Sequence, residues 1–256
     1  MQKLLSFQLV PKYVCCAMIS VIYEDAALIV VEKPAGTPVY PFGPFDPGTL
    51  AQSLTERYPE LAQVGPPLQA GTIHRLDNHT SGLIVVGRTA ASFDALCAQW
   101  NNHETLKEYT ALALRDTPPH AVIKTAIAHH PRKKRKMLVC ESERKIKHYK
   151  AREAHTEFET LKTYRLGPGL VYSLLRVEIT TGVRHQIRVH LASIGHPLAG
   201  DRLYQNALKR MQDRTGLNRQ FLHLGRVVLK HPTTGKRIEV VCNLPPDLQS
   251  VLDSLD

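Results

Sequence analysis

A polar stretch between two apolar segments carries a residue suited to chemistry, Asp77. The stretch reads HRLDNHTSG over residues 74–82, and apolar residues flank it at 71–73 and 83–86. This pattern predicts a strand, a turn and a second strand, with the carboxylate of Asp77 at the turn. Gly82 permits a backbone angle or a close approach that a side chain would forbid. Such an aspartate is either a simple turn residue or a nucleophile or base.

An arginine pair further along the chain could supply the matching positive charge. A long predicted strand over 171–180 leads through Thr181-Gly182 into a pattern that turns helical at Arg184. Arg184 and Arg188 fall on one face of this helix, which Gly195 and Pro197 terminate. A guanidinium beside a buried carboxylate keeps the acid ionised. The alternative is that both arginines are merely solvated.

A tyrosine on a predicted strand is the third candidate for the site. Residues 106–114 alternate as a strand, with Tyr109 on the same face as two alanines. A strand tyrosine is usually a packing residue. The helix predicted over 90–102, with Thr89 as its N-cap, carries an apolar stripe that we interpret as core.

Composition favours a polyanionic partner and an intracellular location. The 256 residues carry 33 Lys and Arg against 23 Asp and Glu, which gives a net charge of +10. The five cysteines are odd in number and form no CxxC pair, which is typical of reduced thiols in the cytoplasm. No apolar run is long enough for a membrane span, and no histidine spacing matches a metal site, so we expect neither membrane nor metal.

The most basic part of the chain lies at residues 129–152. It includes five consecutive cations, which are Arg132, Lys133, Lys134, Arg135 and Lys136. So dense a positive charge repels itself unless an anion or solvent screens it. One interpretation is a loop that contacts RNA phosphates; the alternatives are a solvated loop and a localisation-like signal.

These segments resemble, in order, the motifs of the RluA-type RNA pseudouridine synthases from about residue 21 to about 246. The polar stretch matches HRLDxxTSGL, and YEDAALIVVEKPAG, KEYTAL, the basic loop, the segment around Arg188 and GHPxxGD match further family motifs. Two departures are visible: Glu32 replaces the usual Asn, and Val183 replaces the usual Arg of TGRxHQxRVHL. We take Glu32 as scaffold, and Val183 removes an auxiliary contact.

The resemblance implies an α/β (α+β) pseudouridine synthase fold, in which helices and loops flank a mixed, largely antiparallel sheet with a central cleft. It implies that Asp77 is the catalytic carboxylate, Arg188 its partner, and Tyr109 the ring against the uracil. Arg75 would fill the space left by the flipped-out nucleotide. The implied RNA contacts are His74, Arg75, Arg184, Arg132, Lys133, Lys134, Arg135 and Lys136. The reaction is an internal isomerisation, so no cofactor or metal is expected.

The same comparison sets the expected organisation and the competing hypotheses. Residues 1–20 are interpreted as a tail, either disordered or an upstream start, and 21–256 as the catalytic domain of a monomer, without an S4 module. The expected partner is structured RNA, either ribosomal or transfer RNA. One alternative is an RNA-binding or chaperone protein that has lost turnover. A glycosidase is another, but it would need two carboxylates, and the matched motifs offer only Asp201 as the second.

Overall fold

The computed structural model describes residues 19–41, 48–206, 210 and 212–256. The predicted tail therefore lies outside the described residues, except for its last two positions. Within the described residues no helix is both long and apolar enough to cross a lipid bilayer.

Eleven strands and five α-helices make up the described part of the chain. The strands are β1 (Ser20–Glu24), β2 (Leu28–Lys33), β3 (Ser81–Gly87), β4 (Leu106–Leu114), β5 (His120–Ile123), β6 (Ala126–His129), β7 (Met137–Cys140), β8 (Thr156–Gly167), β9 (Leu170–Ile179), β10 (Leu222–Lys230) and β11 (Arg237–Val241). The helices are α1 (Leu50–Arg57), α2 (Ala90–Asn101), α3 (Glu143–Tyr149), α4 (Gln186–Ser193) and α5 (Pro246–Leu255). A 3-10 helix, Pro59–Gln63, follows α1.

Nine of the described strands form one sheet, and its order explains how distant segments meet. The order is β1-β2-β3-β10-β4-β9-β8-β5, with β11 paired to the far end of β10. All neighbours are antiparallel except β3 and β10, so the prediction of a mixed, largely antiparallel sheet is confirmed. β6 and β7 form a separate hairpin. β3 begins shortly after Asp77, and β4 contains Tyr109. Only β10 lies between these two strands.

Local sequence accounts for the elements that frame the site. α1 begins with a capping box at Thr49, and α2 begins at the predicted cap Thr89, whose hydroxyl accepts from Ser92 N–H. The apolar runs at 28–31 and 83–86 are completely buried, which is why they read as continuous apolar stretches rather than as alternation. Leu96 of α2 packs into the same core, so the interpretation of the α2 stripe as core is confirmed.

Three local predictions were wrong or incomplete. Residues 71–73 form no strand; only one bridge, Thr72 to Val86, pairs them with β3. The helix carrying Arg188 begins at Gln186 rather than at Arg184, because His185 is in the left-handed region with φ 56°. The basic stretch is more than a loop, since it contains β7 and α3.

Gly82 makes the single parallel pairing of the sheet possible. Its φ is 127°, and a Cβ placed on it would lie 2.4 Å from the carbonyl oxygen of Leu224 in β10. Gly82 pairs with Leu224, which in turn pairs with Tyr109 of β4. The close approach expected for Gly82 is confirmed, and it brings the end of the polar stretch to within one strand of Tyr109.

We expect Gly82→Ala to lower the free energy of unfolding by about 3 kcal/mol or more, because the added methyl group strikes main-chain atoms that cannot move aside. Gly235→Ala is the matched control: Gly235 also has a positive φ, 68°, but a Cβ there meets open space. The control should lose only the backbone strain, about 1 kcal/mol. Chemical denaturation measures both, and equal losses would show that β10 does not constrain Gly82.

Candidate active site

Asp77 and Arg188 meet at the start of β3. Nη1 of Arg188 donates to Oδ2 of Asp77 at 2.8 Å. Asp77 sits on a turn that the Thr80 N–H closes onto the Asp77 carbonyl at 3.0 Å. Its side chain keeps about a fifth of its surface exposed, whereas that of Arg188 is buried. The carboxylate therefore faces a cavity while its positive partner lies behind it.

A second carboxylate, Asp201, holds the other side of the Arg188 guanidinium. Nε and Nη2 of Arg188 donate to the two oxygens of Asp201 at 2.7 and 3.0 Å. Burial alone would lower the pKa of Arg188, but the hydrogen bonds and charge of Asp201, and then those of Asp77, raise it above its ordinary value. Arg188 is thus a fixed cation whose Nη1 group is left to bind Asp77.

Tyr109 lines the same cavity as this pair. The cavity has a volume of about 270 Å³, and its wall includes Asp77, Tyr109, Arg188, Ile179 and Leu222. Burial, and then the nearby charge of Asp77, raise the pKa of Tyr109 well above its ordinary range. The phenol is therefore neutral, and it presents a ring and a hydroxyl group rather than a base. The structure places the three predicted catalytic side chains around one cavity.

A buried lysine donates a hydrogen bond to the turn that carries Asp77. Lys33, at the end of β2, is fully buried, and its Nζ donates to the carbonyls of Pro34, Thr37 and Asn78 at 2.8, 2.9 and 3.1 Å. Burial lowers the pKa of Lys33 to about 7, although the charge of Asp77 opposes the shift. Lys33 ties the chain after β2 to the residue that follows Asp77.

His185 and Tyr204 contact each other beside Asp77 and Arg188. Nδ1 of His185 lies 3.0 Å from the Tyr204 hydroxyl, and Nε2 lies 3.7 Å from Oδ2 of Asp77. The Tyr204 ring also stacks beneath the guanidinium of Arg188, 5.3 Å from its central carbon. Burial lowers the pKa of His185 to about 4 despite the neighbouring Asp77, so the imidazole is neutral near pH 7.

His74 does not reach the site, which corrects its assignment as an RNA contact. Its ring stacks on Trp100 with centroids 4.0 Å apart, and its Nε2 accepts from the Val85 N–H at 3.1 Å. Burial, and then the charge of Lys107, lower the pKa of His74 to about 3. A neutral ring that accepts from a core strand is a scaffold group, because RNA cannot approach it.

A wider groove adjoins this cavity, and Asp77 lines both spaces. Its volume is about 710 Å³, and Arg75, Arg135, Arg184 and Arg202 line it. Among the described residues none of these four arginines has a carboxylate within ion-pair distance. Unpaired guanidiniums along a groove favour phosphate oxygens as ligands.

Of the five cations of the basic loop, only Arg135 lines this groove. Arg132, Lys133 and Lys134 are exposed. Lys136 is partly buried and lies 5.6 Å from the Tyr204 ring centroid. Val183, the departure from the family pattern, is buried in an apolar cluster with Ile127 and Met137 of the β6–β7 hairpin. The hairpin that presents the basic loop is therefore packed against the start of α4.

Asp201, Tyr204, His185 and Lys33 were missed as members of the site. Asp201 and Lys33 do fall within quoted motifs, GHPxxGD and KPAG, but nothing in their spacing links them to Asp77. Among the described residues no three His, Cys, Asp or Glu side chains are grouped as metal ligands.

Comparison with known proteins identifies the family. Residues 27–193 match the sequence model of the RNA pseudouridylate synthase family, which is more than half of the chain. The chain belongs to that family. RNA pseudouridine synthases are isomerases that act on RNA, so this fixes the class of enzyme and the class of substrate.

Curated relatives of this pseudouridine synthase carry matching names. The ribosomal large subunit pseudouridine synthase D of Xylella fastidiosa is 34% identical over 93% of this chain and 69% of its own length. An uncharacterized RNA pseudouridine synthase of Chloroflexus aurantiacus is 38% identical over 87% of this chain and 65% of its own. The chain thus spans about two thirds of the length of these relatives.

Solved structures agree with the fold of this pseudouridine synthase. Human RNA Pseudouridylate Synthase Domain Containing 1 superposes with a TM-score of 0.70 at 25% identity, covering 91% of this chain and 87% of that one. Human RNA Pseudouridylate Synthase Domain Containing 4 gives a TM-score of 0.69 at 22% identity, with 92% of each chain covered. The pseudouridine synthase fold predicted from the motifs is confirmed.

Proposed function

We propose that this enzyme converts a uridine of large-subunit ribosomal RNA to pseudouridine, with Asp77, Arg188 and Tyr109 as its catalytic side chains. The bond between N1 of uracil and C1′ of the ribose breaks, the base turns, and C5 bonds to C1′; C5 then loses its proton and N1 gains one, so the product is an isomer of uridine. Nothing is oxidised or reduced. Asp77 either attacks C1′ or removes the C2′ proton. The Asp77–Arg188 contact beside a base-sized cavity is the observation that carries the reaction, and the name of the Xylella relative supports the choice of RNA.

The geometry suggests separate roles for the side chains that surround the target nucleotide. A cavity of about 270 Å³ lies near the lower limit for small-ligand sites, which suits a single base. Tyr109 forms its wall, so its ring can hold the uracil while the base is detached. A base inside folded RNA must be flipped out of the helix to enter such a cavity. Arg75 is exposed and lines the cavity, so its side chain can fill the space that the flipped base leaves between its stacked neighbours.

The same contacts disfavour glycoside hydrolysis. That reaction needs a second carboxylate free to activate water or to protonate a leaving group. Among the described residues Asp201 is the one other acid that lines the groove with Asp77, but it is 1% exposed and both of its oxygens accept from Arg188. A binding protein without turnover is disfavoured as well, because an ion pair buried beside a base-sized cavity contributes nothing to simple attachment.

Pseudouridine mapping tests the substrate, and tritium release tests the reaction. RNA from a strain lacking this gene should lose pseudouridine in large-subunit ribosomal RNA. The purified protein should release tritium from a transcript of that RNA made with uridine labelled at C5. Loss of sites in transfer RNA alone would overturn the ribosomal assignment. If the protein released tritium from neither class of RNA, the proposed activity would be overturned. With such a substrate we place the enzyme in the cytoplasm, as a monomer.

The arginine-lined groove and the basic loop suggest a path for the RNA backbone. Asp77 and Arg184 line both the cavity and the groove, so a nucleotide with its base in the cavity would direct its phosphates into the groove. The exposed loop residues would then meet phosphates further along the strand. Such contacts orient the RNA without selecting its sequence.

We expect Lys133→Gln with Lys134→Gln to weaken RNA binding and flatten its salt dependence. Loss of two phosphate contacts should reduce the slope of log K against log salt by about 1.5. The matched control replaces Lys230 and Lys236, which lie at the β10–β11 turn, at the opposite end of β10 from Asp77. Filter binding from low to moderate salt measures both variants. A slope equal to that of the control would remove the loop from the interface.

A further inference from the structure

We infer that His185 donates a hydrogen bond from Nε2 to the 2′-oxygen of the target ribose, and that Tyr204 holds the imidazole in the tautomer this requires. His185 would then be a catalytic-site contact that recognises ribose, and Tyr204 a positioning residue. The inference rests on the proposed function, because it takes Asp77 to meet the ribose.

The hydrogen-bond directions around Tyr204 fix the tautomer. The backbone N–H of Met137 donates to the Tyr204 oxygen at 2.9 Å. The single hydroxyl hydrogen of Tyr204 is then free to donate, and Nδ1 of His185 at 3.0 Å is its acceptor within the described residues. Tyr204 is partly buried, and leaving its hydroxyl hydrogen without this acceptor would lose a hydrogen bond. Nδ1 therefore accepts, and the proton of the neutral imidazole resides on Nε2.

Among the described residues the Nε2–H group has no hydrogen-bond partner. Its closest acidic atom is Oδ2 of Asp77 at 3.7 Å, beyond hydrogen-bond distance. His185 also lines both the base-sized cavity and the arginine-lined groove, so Nε2–H lies where the two spaces join. The sugar of a nucleotide with its base in the cavity and its phosphates in the groove must occupy this junction.

The ribose chemistry identifies the acceptor. Whether Asp77 attacks C1′ or removes the C2′ proton, its carboxylate lies against the C1′–C2′ edge of the sugar. The 2′-oxygen is attached to that edge, and a donor 3.7 Å from Oδ2 of Asp77 can reach it. A 2′-hydroxyl group is also what distinguishes RNA from DNA at a binding site.

The fold holds His185 in this orientation with several independent contacts. Its backbone is left-handed, with φ 56°, at the residue before α4. Its ring meets the Tyr204 ring edge-on, with centroids 5.7 Å apart. The charged and titratable groups around it are Asp77, Arg184, Arg188, Asp201, Tyr204 and, across the Tyr204 ring, Lys136. A strained backbone in an ordered site is typical of a functional residue.

Two substitutions at His185 distinguish a role as a hydrogen-bond donor from a role in packing. His185→Gln can place an amide N–H near the position of Nε2, whereas the shorter side chain of His185→Asn cannot, although Asn tolerates the left-handed backbone best. With tritium release from the ribosomal transcript, we expect kcat/KM to fall about tenfold to thirtyfold in the Asn variant and within about threefold in the Gln variant. Equal rates in both variants would overturn the inference.

Tyr204→Phe tests the tautomer without removing the ring. Loss of the hydroxyl group frees Nδ1 to take a proton, so the pKa of His185 should rise, although burial, the largest cause of its low value, still opposes protonation. Relative to the wild type at the same pH, activity should therefore fall further at pH 5.5 than at pH 8, because a larger fraction of His185 is charged and drawn to Asp77. Superimposable profiles would overturn the role of Tyr204.

Nitrogen NMR of the free wild-type protein gives a readout that needs no substrate. The imidazole signals of His185, assigned by their loss in His185→Asn, should show the proton on Nε2, and those in Tyr204→Phe should show a mixture. A wild-type proton on Nδ1 would overturn the inference. If the wild type released no tritium from either class of RNA, the proposed function would fall while the tautomer stood.

Discussion

Asp77→Asn should abolish tritium release from the ribosomal transcript, with a loss of at least about 10³-fold, while the protein stays folded and still binds RNA. The amide has the shape of the carboxylate but can neither attack C1′ nor remove a proton. The fold should survive because Arg188 keeps both of its hydrogen bonds to Asp201. RNA affinity should hold or rise slightly, since a negative charge leaves a site that faces phosphates.

Asp116→Asn is the matched control for Asp77→Asn. It makes the same chemical change at a half-exposed carboxylate paired with Arg165, away from the cavity. Its turnover and RNA affinity should equal those of the wild type. Normal turnover by Asp77→Asn would remove the carboxylate from the mechanism. Loss of folding in circular dichroism would instead show that Asp77 is a structural residue of the turn.

Asp201→Asn should produce the largest loss of stability, about 3–5 kcal/mol in the free energy of unfolding, together with a loss of activity. Asp201 accepts two hydrogen bonds from Arg188 and one from each of the backbone N–H groups of Leu203 and Tyr204. Its removal leaves a buried guanidinium with only Asp77 for compensation. Arg188 would then shift, and Asp77 would lose its fixed partner.

Glu239→Gln is the control that separates burial from charge in this experiment. Glu239 also pairs with an arginine, Arg226, at 2.8 Å, but both side chains are 30% exposed or more. Breaking an exposed pair changes the free energy of unfolding little, because solvent screens both charges. Urea denaturation compares the two variants directly. If they lost the same stability, the Arg188–Asp201 contact would not be a buried ionic element of the fold.

The order of β3, β10 and β4 explains why the site exists only in the folded protein. The segments bearing Asp77 and Tyr109 come from the first half of the chain, whereas β10, which separates β3 from β4, comes from near its end. Leu224 of β10 pairs with Gly82 on one side and with Tyr109 on the other. The two chemical groups are therefore aligned by a strand that carries neither of them.

Sequence alone was sufficient for features that depend on local chemistry or on a motif. It predicted the cap of α2, the buried strand that follows the polar stretch, the need for glycine at position 82, and the three side chains that share the cavity. Each follows from short-range hydrogen bonding, from apolar periodicity or from the resemblance to a family. None of them requires knowledge of which strand lies beside which.

Tertiary structure alone decided which groups other than Arg188 lie near Asp77. His74 is close in sequence but is buried against Trp100, while His185, from the other half of the chain, reaches to 3.7 Å. Asp201 and Tyr204 join Arg188 and His185 because the chain after α4 folds back over that helix. Contacts of this kind depend on strand order and on the path of connections, and neither leaves a periodic signal in a single sequence.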